Sequence, residues 1–175
     1  FASASSKLYS HPLSPSAHTP MADRVSAGLD LMHRLSKEYE KPQFSIGTAN
    51  VGGVDVAVQQ QIAMEKPFCR LLRFKRFTDN LQALSQMKEH PTVLIVAPLS
   101  GHHATLLRDT VRSLIRDHEV WVTDWVDARM VPLSAGPWHL ADYVDYVRGF
   151  IELLTDERKP NLNVISVCQP TVPVL

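Results

Sequence analysis

From residue 91 onward, the sequence alternates between short apolar runs and segments with helical periodicity. The apolar runs are TVLIVAPL, EVWVTDW and NVISV, and residues 104–118 and 139–157 lie between them. Continuous apolar runs of this length are typical of strands that are buried on both faces of a sheet. The order strand, helix, strand, helix, strand therefore predicts an α/β fold built on a mostly parallel sheet.

The segment before this alternation predicts a pair of antiparallel strands. A glycine pair at 52–53 marks a turn, and residues 54–58 alternate between valine and other residues, as in a half-buried strand. The apolar residues within 71–74 predict the neighbouring strand. Cys69, which follows Phe68, is expected to pack as a small hydrophobic residue rather than to react.

The N-terminal region has a different character. Residues 1–20 are rich in Ser, Pro and Ala and have no periodicity, which predicts an extended arm. Thr19 and Pro20 suit the start of a helix, and residues 20–39 place Val25, Leu29, Met32 and Leu35 at helical spacing. We therefore expect residues 1–45 to form an arm with an amphipathic helix, and residues 46–175 to form the α/β domain.

Composition limits the function classes. The chain has 18 basic and 18 acidic residues, so no overall charge favours a nucleic-acid partner. No apolar stretch approaches the roughly 18 residues that a membrane span needs. Two cysteines without a CxxC pattern favour a reducing, cytoplasmic setting, and neither a metal nor another cofactor is expected.

Two strand ends carry residues with chemical potential. Ligands of open parallel sheets bind beyond the carboxyl ends of the strands. SVCQP, at the end of the last apolar run, resembles the nucleophile elbow of α/β-hydrolases, with Cys168 in the strained central position between small Ser166 and Pro170. A helix that starts there would favour the Cys168 thiolate. The alternative is a cysteine that simply packs at the end of a strand.

The loop APLSGHH follows the first apolar run, where α/β-hydrolases place a donor to the oxyanion. We expect Gln169 to supply one backbone N–H, and Ser100, Gly101 and His102 to supply the other donor or contact the substrate. The alternatives are a simple turn at Ser100-Gly101 and, much less favoured, a metal site at the adjacent histidines. Asp124, near the end of the second run, and Asp127, in the loop after it, are expected to cap and order that loop.

Longer stretches resemble the intracellular poly(3-hydroxybutyrate) depolymerases of bacteria. They are VLIVAPLSGHHATLLRDTVRSLI, VWVTDWVDARMVPLSAGPWHLADYVDYV and VISVCQPTVPVL, together with DVAVQQQ and KPFCRLLRFKRF nearer the N-terminus. The resemblance implies an α/β-hydrolase that cleaves the esters of a storage polyester, with Cys168 as the nucleophile. It also implies a cytoplasmic location at the surface of polyester granules.

The same resemblance places the acid and histidine partners of the nucleophile beyond Leu175. We therefore expect the chain to be the front portion of a hydrolase domain, truncated after the nucleophile elbow and inactive alone. Such a domain would need a missing C-terminal segment or self-association to complete its sheet.

Two other functions remain open at this stage. A polyhydroxyalkanoate synthase, which is an acyltransferase, also carries an elbow cysteine, but usually with glycine on both sides, unlike Ser166 and Pro170. A non-catalytic granule-associated protein would use the arm and the amphipathic helix to coat the polyester, with Cys168 merely packed.

Overall fold

The structure is a computed structural model that describes residues 19–36, 41–99, 103–155 and 161–175. The chain divides into two units between Lys41 and Pro42. The predicted arm, except for its last two residues, lies outside the described residues, as do residues 37–40.

The first unit contains helix α1 (Pro20–Ser36). It begins where the sequence predicts, because the backbone N–H of Ala22 donates to Thr19 Oγ1 at 3.2 Å. The apolar face predicted for this helix is not buried. Val25, Met32 and Leu35 are exposed, and Leu29 is half-buried.

The second unit is built on one sheet of six strands in the order β1-β2-β3-β5-β4-β6. The strands are β1 (Thr48–Val51), β2 (Val54–Glu65), β3 (Cys69–Phe77), β4 (Thr92–Val96), β5 (Glu119–Trp125) and β6 (Leu162–Ser166). The fold is mixed α/β, but the sheet is not mostly parallel as the sequence pattern predicted. Strands β4, β5 and β6 are parallel, whereas β1, β2 and β3 are antiparallel to their neighbours.

Short connections explain the antiparallel pairs β1–β2 and β2–β3, because a parallel crossover needs a dozen or more residues. Gly52 and Gly53 have φ of 56° and 90°, and these positive values close a tight hairpin between β1 and β2. The Asn50 side chain holds this turn by accepting from the Gly53 N–H at 3.1 Å. Strands β2 and β3 form the antiparallel pair that the sequence predicts.

The helices of this unit connect or follow the parallel strands. They are α2 (Leu81–Glu89), α3 (Arg108–Leu114), α4 (Leu140–Leu154) and α5 (Thr171–Val174), with a 3₁₀ turn at Ala104–Leu107 before α3. The predicted helix at 104–118 is thus part 3₁₀ and ends earlier. Helical spacing predicts Leu106 on the same apolar side as Val111, Leu114 and Ile115, but Leu106 is 61% exposed. No helix among the described residues is both long and apolar enough to cross a membrane.

The core lies where the parallel strands are covered. All five residues of β4 are buried, which fits its continuous apolar sequence. Val111 from α3 and Val147 and Phe150 from α4 are also buried in this core. The core therefore fixes β4 between β5 and β6 and determines which loops meet at the carboxyl ends of the strands.

Candidate functional site

The structure brings the two predicted strand ends together. Strand β4 pairs in parallel with β6, in a register that sets Val96 opposite Ser166. The pairing continues past the strands, because the Val167 N–H donates to the Val96 carbonyl at 3.2 Å. The residue after Val167 is Cys168, so the candidate nucleophile emerges beside the start of the loop that follows β4.

This location is a switch point in the strand order. Strand β4 lies between β5 and β6 in the sheet. The chain runs first from β4 to β5 on one side, and later passes from β5 through α4 to β6, on the other side of β4. In open α/β sheets the crevice between two such strands is where ligands bind.

Cys168 has an unusual backbone conformation. Its φ is 67°, a value that non-glycine residues rarely adopt because Cβ crowds the backbone. Its side chain is exposed, and the thiol is free rather than part of a disulfide. A strained, exposed residue at a strand end is a feature that clusters at functional sites.

The residues after Cys168 turn the chain into helix α5. Pro170 is buried with φ −57° and ψ −15°, which suits the proline ring immediately before a helix. The carbonyl of Cys168 accepts from both the backbone N–H and the hydroxyl of Thr171, at 3.2 and 2.8 Å. These two bonds stabilise the turn, while Gln169, the expected oxyanion donor, is exposed beside the thiol-bearing residue.

The loop after β4 is fixed at its first residue. The Ala97 N–H donates to Thr123 Oγ1 at 2.9 Å, and the Ala97 carbonyl accepts from Trp125 Nε1 at 2.9 Å. All of these groups are buried, so β5 holds both polar backbone groups of Ala97 away from water. Sequence reasoning missed this support, although a threonine inside the buried run EVWVTDW signals a hydroxyl that needs a partner.

Ser100, Gly101 and His102, the other predicted oxyanion and substrate residues, lie outside the described residues. The chain is described again from His103, which is half-buried and precedes the 3₁₀ turn.

The Asp127 carboxylate shows that the loops after β4 and β5 lie near each other. Hydrogen bonds from the Arg129 side chain and backbone N–H, with a smaller contribution from the nearby charge of His103, lower the pKa of Asp127 to about 2. Asp127 is exposed and caps the 3₁₀ turn at Ala128–Met130. This is the loop-ordering role that the sequence predicts for it.

Aromatic side chains surround the end of β5. Trp125 stacks on Tyr143 with ring centroids 4.4 Å apart, and Trp138 stacks on Phe68 at the same separation. Trp121 and Trp125 are both buried, so they pack in the core. Trp138 is half-buried and is the tryptophan nearest to solvent.

The second cysteine lies in a different environment. Cys69 has no exposed surface, and its Sγ donates to the Arg70 carbonyl at 3.5 Å. The expectation that it packs as a small hydrophobic residue is confirmed. Burial, with a smaller contribution from Cys69, strongly raises the pKa of the nearby Tyr143 hydroxyl.

No group of three His, Cys, Asp or Glu side chains among the described residues could hold a metal ion. No protein-family model matches the chain, and neither a curated protein nor a solved structure is significantly similar to it. The function of the protein is therefore inferred from the site itself and from the sequence resemblance stated above.

Proposed function

We propose that this chain carries the nucleophile of an ester hydrolase that cleaves intracellular poly(3-hydroxybutyrate) at polyester granules, with an α/β-hydrolase type of fold. The observation that carries the proposal is the exposed Cys168 with φ 67° in the turn between a parallel strand and a helix. A nucleophile elbow has this arrangement, because the strained turn lifts the side chain above the sheet.

The position of the turn supports the same function. An acyl-transfer site needs two backbone N–H donors that converge on the developing oxyanion. One would come from Gln169, directly after the nucleophile, and the other from the loop that begins at Ala97. That loop starts on the strand adjacent to β6, and β5 holds its first residue by two hydrogen bonds.

The proposed reaction has two steps. The Cys168 thiolate attacks the ester carbonyl carbon, and the tetrahedral intermediate expels the alcohol end of one chain, which a histidine protonates. Water, deprotonated by the same histidine, then attacks the thioester and releases a free carboxylic acid and the thiolate. The resemblance places this histidine, and the carboxylate that orients it, after the nucleophile in the sequence.

Thiol reactivity gives the first test. In the complete polypeptide, iodoacetamide at pH 7 should modify Cys168 several times faster than it modifies the same cysteine after urea unfolding, because the proposed histidine would act as a base for the thiol. Cys69 in the folded protein is the internal control and should stay unmodified, since it is fully buried. If Cys168 reacts no faster when folded, the proposal loses its nucleophile.

Activity gives the second test, on the complete polypeptide encoded by the gene. Amorphous poly(3-hydroxybutyrate) granules should release short hydroxy acids, and the Cys168→Ala variant should abolish this release while Cys69→Ala retains it. Polymer growth from hydroxybutyryl-CoA would instead indicate the acyltransferase. Granule binding without either reaction would indicate the non-catalytic granule protein.

A further inference from the structure

A cationic pocket lies at the amino end of β5, whereas Cys168 follows the carboxyl end of the parallel strand β6. It forms where β3 runs past the start of β5: the last pair of these strands is Phe74 with Val120, and β3 continues to Phe77. The pocket encloses about 120 Å³ and is lined by Arg73, Phe74, Lys75, Arg76, Met87 and Glu119. Its lining has three cationic side chains and one carboxylate, an excess of positive charge.

Two of the three cations are held in place by other groups. Arg73 Nη2 lies 2.6 Å from Glu119 Oε1, and its guanidinium lies 5.1 Å from the centre of the Trp121 ring. Arg76 Nη1 donates to the Ile115 carbonyl at 3.0 Å and lies 2.8 Å from His90 Nδ1. These contacts fix the two guanidinium groups before any ligand arrives, which lowers the entropy cost of binding.

The positive charge of the pocket is only partly compensated. The Lys75 ammonium lies 5.0 Å from the centre of the Phe77 ring and has no ion pair among the described residues. The buried Nε of Arg73 has no hydrogen-bond partner there either. Asp117, whose negative charge also acts on Arg76, lies 2.6 Å from His118, measured from Asp117 Oδ1 to His118 Nδ1.

We propose that this pocket binds a small oxyanion, a phosphate or a carboxylate, between Lys75 and the guanidinium groups of Arg73 and Arg76. Oxygen atoms of such an anion accept charge-assisted hydrogen bonds from both side-chain types, and planar guanidinium groups match them in geometry. Burial lowers the pKa of Arg76 by removing water from its charge, and an anion would restore the lost stabilisation. The site does not depend on the hydrolase proposal.

The test is calorimetric titration of the protein at low ionic strength with inorganic phosphate and, separately, with 3-hydroxybutyrate. We expect saturable binding of at least one anion, weakened by added salt. Lys75→Gln should weaken it by about tenfold, as expected for one charge-assisted hydrogen bond. Lys88→Gln is the matched control, because Lys88 is exposed on α2 and does not line the pocket.

A second variant should strengthen anion binding rather than weaken it. Unfolding cannot explain such a result, because an unfolded protein would lose the site. Glu119→Gln removes the negative charge of the single carboxylate in the lining but keeps a side-chain oxygen that can accept from Arg73, so it should tighten anion binding by several-fold. Phosphate binding without carboxylate binding would identify a phosphate site, and the reverse a carboxylate site; either supports the proposal. Absence of saturable binding of both anions, or equal affinities in the Lys75→Gln and Lys88→Gln variants, would overturn it.

Discussion

At the scale of single residues, the backbone of Cys168 is the feature with the clearest energetic consequence. A positive φ costs a residue with a side chain about 1 kcal/mol or more, and glycine avoids this cost. We expect Cys168→Gly to be more stable than Cys168→Ala by about 1 kcal/mol in urea unfolding, because both variants lose the thiol and only one keeps Cβ.

Ser85 provides a control of opposite sign. It is exposed on α2, where glycine should be less stable than alanine by about 1 kcal/mol. Equal stability of the two variants at position 168 would mean that the turn relaxes and that Cys168 stores no strain.

Asp127 gives a prediction for pH dependence. Its folded pKa of about 2 is below the ordinary value near 4, chiefly because of hydrogen bonds from Arg129. The ionised form is therefore favoured by folding, so its contribution to stability is present above pH 4 and is lost as the pH falls toward 2. Arg129→Gln should move the pKa of Asp127 back toward 4, as carboxyl ¹³C NMR titration would show. An unchanged pKa would mean that Arg129 is not its cause.

At the scale of elements, the contact of β5 with Ala97 should stabilise the loop next to Cys168. Thr123→Val keeps the side-chain shape but leaves the buried Ala97 N–H without an acceptor, a loss of about 1–3 kcal/mol in unfolding free energy. We also expect faster hydrogen exchange at the Ala97 amide. Thr92→Val is the control, because Thr92 is a second buried threonine but lies at the opposite end of β4 from Ala97. Equal losses in the two variants would contradict a specific role for Thr123.

The elements show which parts of the fold can be predicted from the sequence. Strands β2 to β6 were predictable because their residues alternate or form continuous apolar runs bounded by polar segments. Strand β1 was missed because it has only four residues, and helix α2 because Leu81 and Leu84 are exposed rather than part of an apolar stripe. Leu106 was misassigned because the 3₁₀ turn changes the angular spacing of side chains.

For the candidate site, the pattern SVCQP predicted a turn at Cys168, but two further facts needed coordinates. One is the value of φ at Cys168: the elbow pattern predicts a strained central residue, but cysteine itself does not favour a positive φ. The placement of β4 beside β6 depends on packing between segments that are about 70 residues apart in the chain, as the Thr92–Leu162 pair illustrates. Local periodicity contains no information about that neighbour.

At the scale of the whole molecule, the sheet has two edges that differ in their capacity to pair. Among the described residues, β1 pairs only with β2 and β6 pairs only with β4. Strand β1 is short, which makes it a poor template. Strand β6 is a better one, since its sequence LNVIS is more apolar and its residues Val164 and Ile165 are only half-buried, unlike the buried strand β4 beside it.

We therefore expect the 175-residue protein to self-associate through β6 in a concentration-dependent way, measured by size-exclusion chromatography with light scattering. Asn163→Lys adds a charge at this edge and should shift the equilibrium toward monomer, because edge lysines block strand addition. Ala57→Lys adds the same charge at an exposed position of β2 that pairs with Thr48 of β1 and with Phe77 of β3, so it should leave the equilibrium unchanged. A wild-type protein that stays monomeric at high concentration would show that the β6 edge does not pair, and an equal effect of both variants would assign the association to another surface.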